Sequence, residues 1–310
     1  MKSKKAIIFI SFLSAIILLI SGYLTRKFEL ALIRDKTWSN DLGYKENEIH
    51  KLTFHFAGDR SVPQIPIQVN NYEFNLIFDT GCGSGLQFTN VVEDKIDYIL
   101  LNQIEELNRD GSHRGWSKRI KIDEMIVFEE MYKDITTGIA DWSMYSSSKF
   151  DGLIGLSYFA SKVITLDYAG HRIAISSNPI DYSKLEADQY VVLPLYKSIS
   201  QGQQDLLFFE AEYNNQPIMV YLDTGKNYSY FYNPDCSSSI NDKPDNLIDI
   251  PLKIGDLELT LTDIAEVNDL AQAKGLPYIT MVELNSDQIW KCNLLVTMDL
   301  IEQKIILKKI

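Results

Sequence analysis

Val69-Asn70-Asn71-Tyr72-Glu73-Phe74-Asn75-Leu76-Ile77-Phe78-Asp79-Thr80-Gly81 is written a second time, in altered form, as Tyr213-Asn214-Asn215-Gln216-Pro217-Ile218-Met219-Val220-Tyr221-Leu222-Asp223-Thr224-Gly225. In each copy an Asn-Asn pair, suited to a tight turn because asparagine tolerates positive φ, precedes an apolar run ending in Asp-Thr-Gly. The second Asn stands eight residues before the Asp both times. A lone Asp-Thr-Gly is a weak signal. Two of them in matching strand context argue for duplication of one structural unit.

The repeat extends downstream. Asp151-Gly152-Leu153-Ile154-Gly155-Leu156-Ser157-Tyr158 begins 72 residues after Asp79, and Asn293-Leu294-Leu295-Val296-Thr297-Met298-Asp299-Leu300 begins 70 residues after Asp223. This alignment sets Thr297 against Gly155. Each segment leads into a β-rich end, Val163 to Ile175 in the first copy and Lys304 to Leu307 in the second. Short strands and turn residues dominate both copies, so the expected class is mainly β. One helix is expected, over Val91 to Leu107, where Val91, Ile96, Ile99, Leu100, Ile104 and Leu107 form an apolar stripe that would pack on a sheet.

A carboxylate at the end of an apolar strand, followed by a hydroxyl residue and a glycine, is a partly buried acid held by its own loop. Two such loops face to face bring two carboxyls together. Like charges at that distance do not ionise independently, and the pair shares one proton near its working pH. One carboxylate can then deprotonate a water while the other, protonated, polarises a carbonyl, which is general acid–base hydrolysis of an amide.

At these residues the sequence resembles the aspartic proteases, in particular the retropepsin-like family found in bacteria. The resemblance covers about residues 52–310 and is fuller in the first copy, with Phe78-Asp79-Thr80-Gly81 and Phe150-Asp151-Gly152-Leu153-Ile154-Gly155. It implies two β-barrel-like lobes with a central cleft. Asp79 and Asp223 would be the catalytic pair, supported by Thr80, Gly81, Thr224 and Gly225, with the two threonines tying the loops together and Leu153-Ile154-Gly155 packing beside the first loop. The family also has a flap over its cleft. Asp110-Gly111-Ser112-His113-Arg114-Gly115-Trp116 is the candidate, with Gly111, His113, Gly115 and Trp116 available to a bound peptide; an ordinary surface hairpin is the alternative.

The match departs from the family at three places. The residue after Asp-Thr-Gly is Cys82 in one copy and Lys226 in the other, where a small or hydroxylic residue is usual. An ammonium beside the pair would favour its ionised form, but a long flexible side chain is expected to turn outward into solvent. The second copy lacks the glycine expected near Thr297, and it shows no second flap.

The rest of the chain sets the context. With 310 residues, 45% of them hydrophobic, the protein is neither disordered nor short of core, and the length suits two domains. A net charge of −12 argues against nucleic-acid binding. Four scattered histidines without His-Glu-x-x-His, no Gly-x-Ser-x-Gly and no complete phosphate loop leave no metal or organic cofactor to expect. Cys82 has no sequence signature of a paired histidine that would make it a nucleophile. Cys236 and Cys292 are a candidate disulfide outside the cytoplasm.

At the front, Lys2, Lys4 and Lys5 precede an uncharged apolar run, Ala6 to Leu24, followed by Arg26 and Lys27. Such a run spans about 28 Å as a helix, close to the thickness of a bilayer core. It reads as an uncleaved signal anchor with its amino end cytoplasmic, a cleaved signal peptide being the alternative. Residues 1–27 carry five positive charges and no acid, so the remainder stands five lower than the whole chain, at −17. The expected organisation is a tip and transmembrane helix over 1–27, a stalk or loosely packed linker over 28–51, a first lobe over 52–182 and a second over 183–310. The expected activity is membrane-tethered aspartic endopeptidase action, by a monomer, on a peptide or protein such as a membrane or envelope protein. The rival from another class is a non-catalytic peptide-binding or sensor module on the same lobes.

Overall fold

From Thr37 the chain forms a short helix, α1 (Thr37–Asp41), and strands β1 (Ile49–Lys51) and β2 (Thr53–Phe54) before entering the first quoted hairpin, β3 (Pro63–Val69) and β4 (Tyr72–Phe78). Then follow β5 (Leu86–Thr89), β6 (Ile99–Leu107), β7 (His113–Val127), β8 (Glu130–Ala140), β9 (Gly152–Ile154), β10 (Val163–Asp167) and β11 (Arg172–Ser176). The second series is β12 (Val191–Pro194), the second quoted hairpin β13 (Leu207–Tyr213) and β14 (Gln216–Asp223), β15 (Tyr230–Tyr232), β16 (Leu247–Ile254), β17 (Leu257–Val267), β18 (Thr280–Asn285), helix α2 (Ser286–Lys291), β19 (Leu294–Asp299) and β20 (Lys304–Lys309). This computed structural model describes residues 37–55, 61–107, 113–141, 150–200, 204–239, 247–270 and 272–310. The expected anchor over 6–24, the start of the expected stalk, and Gly111 lie outside them. Among the described residues no helix is long and apolar enough to cross a membrane.

The strands make three sheets. One has eight strands in the order β2-β3-β4-β9-β5-β8-β7-β6, with β3 also paired to β7; one is a closed barrel, β13-β14-β18-β15-β17-β16; the third has six strands, β1-β11-β10-β19-β20-β12. The protein is therefore mainly β, with barrel-like sheets. The asparagine turns close both hairpins, Val69 opposite Tyr72 and Tyr213 opposite Gln216, with Asn70, Asn214 and Asn215 at positive φ.

The two series repeat one topology. The strand ending in each aspartate pairs in parallel with a strand that returns much later: Phe78 lies opposite Ile154, and Leu222 opposite Leu284. That return strand also pairs antiparallel with the strand following the aspartate loop, β5 on β9 and β15 on β18. The counterpart of Asp151–Gly155 is therefore Met281–Asn285, and the alignment of that segment with Asn293–Leu300 is corrected. Gly155 donates its N–H to the Gly85 carbonyl at 2.7 Å, and Asn285 donates its own to Ser229 Oγ at 2.8 Å. Thr297 belongs to β19, whose counterpart is β10: Thr165 lies opposite Thr297, and their hydroxyls are 2.7 Å apart. Every residue of β10 and β19 is buried, which explains why they read as continuous apolar runs rather than alternating ones.

Three further expectations are revised. No α-helix forms over Val91 to Leu107: a 3₁₀ turn covers Asn90–Lys95, and β6 then pairs along β7 from Ile99–Lys121 to Leu107–His113. Of the proposed stripe Ile96 is buried, whereas Val91, Ile99, Leu100 and Ile104 are exposed, so the apolar spacing does not mark a core-facing helix. Long-range strand pairing overrides the helical period here. The segment expected to be loose is packed from Thr37 onward. Trp38, Leu42 and Tyr44 form a second core with Val163, Ala174, Ile180, Tyr190, Leu295 and Ile306 on the six-stranded sheet, and the Trp38 indole donates to Asp167 at 3.2 Å. Finally, Cys236 and Cys292 are free thiols that lie against the carbonyls of Glu266 and Thr260 respectively.

Candidate active site

Parallel pairing of β4 with β9 and of β14 with β18 ends both Asp-Thr-Gly strands at one place. The loops there are bound to each other reciprocally. Thr80 Oγ1 donates to the Leu222 carbonyl at 2.7 Å and accepts the Thr224 N–H at 3.0 Å; Thr224 Oγ1 donates to the Phe78 carbonyl at 2.7 Å and accepts the Thr80 N–H at 3.1 Å. Both threonines are buried. Each hydroxyl thus satisfies two backbone groups of the opposite loop, which would otherwise be orphaned in the interior.

Around these four bonds the aspartates are set in matching positions. The Gly81 N–H donates to Asp79 Oδ1 at 2.7 Å, and the Gly225 N–H donates to Asp223 Oδ1 at 3.0 Å. The glycines are required by close approach. A Cβ on Gly81 would lie 2.7 Å from Asp223 Cγ, and one on Gly225 would lie closer still to Asp79 Cγ. Each loop's glycine therefore faces the other loop's carboxyl, which sets the two carboxyls side by side. Asp223 is only 4% exposed, while Asp79 keeps some contact with solvent. Burial, followed by the charge of Asp223, pushes the Asp79 carboxyl well above the usual range.

The symmetry stops at the next shell. Beside Asp79 sits Cys82, whose thiol is 3.3 Å from Ser84 Oγ and is pushed up to about 11 by burial and by Asp79. It is a protonated thiol at neutral pH and not a nucleophile. Beside Asp223 sits Lys226, and contrary to the outward expectation its ammonium turns in. It is 3.4 Å from Asp223 Oδ2 and 2.5 Å from Glu283 Oε1, although the side chain as a whole is 43% exposed. The two buried carboxylates hold the ammonium there against the pull of hydration. Glu283, on β18, is 3% exposed and also accepts from Asn285 Nδ2 at 3.3 Å. Tyr221, two residues before Asp223 on the same face of β14, brings its hydroxyl to Asp223 and is held far above a normal phenol, first by burial and then by that carboxylate's charge. Behind the loop, Ser286 Oγ donates to the Thr224 carbonyl at 2.7 Å and meets the Tyr168 hydroxyl at 2.8 Å.

The expected pair, Asp79 with Asp223, and the expected supports, Thr80, Gly81, Thr224 and Gly225, are thus brought together. Of the flap candidates, His113, Gly115 and Trp116 lie on β7 at the β6–β7 hairpin. His113 pairs with Glu105 within the β6–β7 hairpin at 2.9 Å, its ring 5.9 Å from that of Trp116, which is 56% exposed. The base of this hairpin does adjoin the first loop: Ile104, Ser117 and Arg119 share a cavity of about 330 Å³ with Ser84, Leu86 and Gln87. In the second series β16 and β17 take the places of β7 and β8, and among the described residues no strand corresponds to β6. Sequence reading missed Tyr221 and Glu283. The period-2 spacing of Tyr221 from Asp223 could have disclosed the first; nothing local pointed to the second, which reaches the site through a parallel pairing 60 residues on. Compared with known families and with curated proteins, the chain matches no family model and no curated sequence.

Proposed function

We propose that this chain is an aspartic-type endopeptidase, built as two aspartic-protease-like lobes about a central cleft and anchored in a membrane through residues 6–24 with the catalytic lobes outside the cytoplasm. The observation that carries the reading is the reciprocal threonine network, which sets the two carboxyls beside each other, each against the other loop's glycine. A pair sharing one proton has both functions amide hydrolysis needs. The ionised member takes a proton from water as the water oxygen bonds to the peptide carbonyl carbon, and the protonated member gives its proton to the carbonyl oxygen. Protonation of the nitrogen then lets the C–N bond break. No metal or organic cofactor enters the scheme. A peptide or protein would be the substrate, a monomer would suffice because one chain supplies both carboxyls, and tethering would raise the effective concentration of membrane or envelope proteins.

The test is hydrolysis of a diverse peptide library by the full chain across pH 3 to 8, beside Asp79→Asn and Asp223→Asn. Cleavage should vanish in both variants, and full activity in either would remove the pair from the mechanism. A second reading, a peptide-binding module without catalysis, is favoured by one observation: the ammonium 3.4 Å from Asp223. A statine-type peptide separates the two, since a working pair binds it far more tightly than a matched substrate peptide and a passive groove does not.

A further inference from the structure

Lys226 and Glu283 make the site electrically one-sided. The Asp223 carboxyl receives the Gly225 N–H at 3.0 Å and has the Lys226 ammonium at 3.4 Å, whereas among the described residues Asp79 receives the Gly81 N–H at 2.7 Å and has no ammonium paired with it. Where two carboxyls share one proton, one of them must hold it. The carboxyl surrounded by donors is stabilised as the anion, and the one with fewer is left as the acid. We infer that Lys226, held in place by Glu283, is a positioning residue that fixes the negative charge of the pair on Asp223 and its proton on Asp79. The inference rests on the endopeptidase reading and deepens it.

The cycle that follows balances. Asp223 takes a proton from water, the water oxygen bonds to the carbonyl carbon, and the Asp79 proton passes to the carbonyl oxygen. Asp223 then returns its proton to the leaving nitrogen as the C–N bond breaks, and Asp79 recovers one from the gem-diol hydroxyl. Both carboxyls end as they began.

The other groups facing this cluster do not supply the asymmetry. Tyr230, from β15, lies with its ring 5.9 Å from the Lys226 ammonium and is held neutral by burial. Cys82, beside Asp79, is a neutral thiol. Asp287, from α2, is occupied by the Ser229 hydroxyl at 2.6 Å. Tyr168 is buried and bonded to Ser286. Lys226 is the cation beside Asp223, and Glu283, whose carboxyl is held above its usual range by burial, is the hydrogen-bond partner that keeps it from turning out.

The test compares pH–rate profiles of the full chain with Lys226→Met, Lys226→Arg and Glu283→Gln. Loss of the cation should move both limbs of the bell upward by about one pH unit. Lys226→Arg should restore them, and Glu283→Gln, which leaves the ammonium on Asp223 alone, should move the alkaline limb downward. Limbs that stay fixed while the rate falls at every pH would show a merely structural role and overturn the inference. Titration of the aspartate carboxyl carbons by ¹³C NMR reads the same shifts without turnover. If the wild type cleaves nothing, the endopeptidase reading fails, and a carboxyl transition of the pair that rises in Lys226→Met still supports the charge assignment while unmoved transitions reject it.

Discussion

Replacing Thr80 with valine exchanges a buried hydroxyl for a methyl of nearly the same size, so the change is one of hydrogen bonding and not of packing. Two backbone groups lose their partner: the Leu222 carbonyl, now 2.7 Å from Thr80 Oγ1, and the Thr224 N–H, now 3.0 Å from it. The Thr80 N–H keeps its bond to Thr224 Oγ1. Each orphaned buried group costs roughly 1–3 kcal/mol, so the variant should lose about 4 kcal/mol of unfolding free energy. Thr80→Ser retains both bonds and should stay within about 1 kcal/mol of the wild type. Thr80→Val with Thr224→Val should lose less than the sum of the single losses, because both act on one network. Urea unfolding of the full chain, followed by tryptophan fluorescence, measures the wild type and the four variants, Thr224→Val alone included. The same loops align the carboxyls, so Thr80→Val should also slow peptide hydrolysis by about 100-fold if the loop shifts by an ångström. Equal stability of the valine and serine variants would refute the argument, for it would mean that the crossed bonds leave no buried group dependent on them.

Other outcomes follow from the same geometry. Gly225→Ala sets a methyl against Asp79 Cγ and should abolish hydrolysis, which a cleavage assay with the folded variant checks. Asp79 titrates above its unfolded value near 4, so its protonated form favours folding below that pH and the contribution is lost as pH climbs to the folded value. Stability should therefore decline with rising pH through that interval, and Asp79→Asn should flatten the decline in urea unfolding measured at several pH values. Trp38→Ala, at a side chain 2% exposed, should cost about 3–5 kcal/mol, a loss no loosely packed linker would show. Trp116→Ala should leave unfolding unchanged within about 0.5 kcal/mol, because its side chain is 56% exposed; a change in KM for peptides would make the hairpin a substrate contact.

The central hairpins were legible because local chemistry specifies them. Asn70, Asn214 and Asn215 supply the positive φ of the turns, and the Asp-Thr-Gly ends carry residues whose small size and hydroxyls the junction demands. What lies beside those hairpins was less legible. Gly155 signals its place by lacking a side chain that would strike Cys82, but its counterpart Asn285 fills the equivalent position with an amide bound to the Tyr228 carbonyl, so the glycine that would have guided the alignment is absent. The alignment then slid to Thr297, in a strand with a different task. Glu283 was invisible for a related reason: a buried acid becomes readable only when its partner is known, and Lys226 is 57 residues away. Ile99 to Leu107 misled because an exposed strand rich in apolar residues matches a helical spacing by accident.

The six-stranded sheet has a further meaning. Its strands run β1-β11-β10 from one series and β19-β20-β12 from the other, meeting where the Thr165 and Thr297 hydroxyls bond across the axis. Two identical chains would build an isologous seam of this form, in which one surface meets its own copy. Written in a single chain, the seam no longer obliges its sides to stay alike. One side carries the hairpin strand β6, with no counterpart among the described residues of the other, and the other side carries a lysine–glutamate couple, neither of which a symmetric dimer could hold without duplicating it. A single chain leaves each half free to carry what the other lacks.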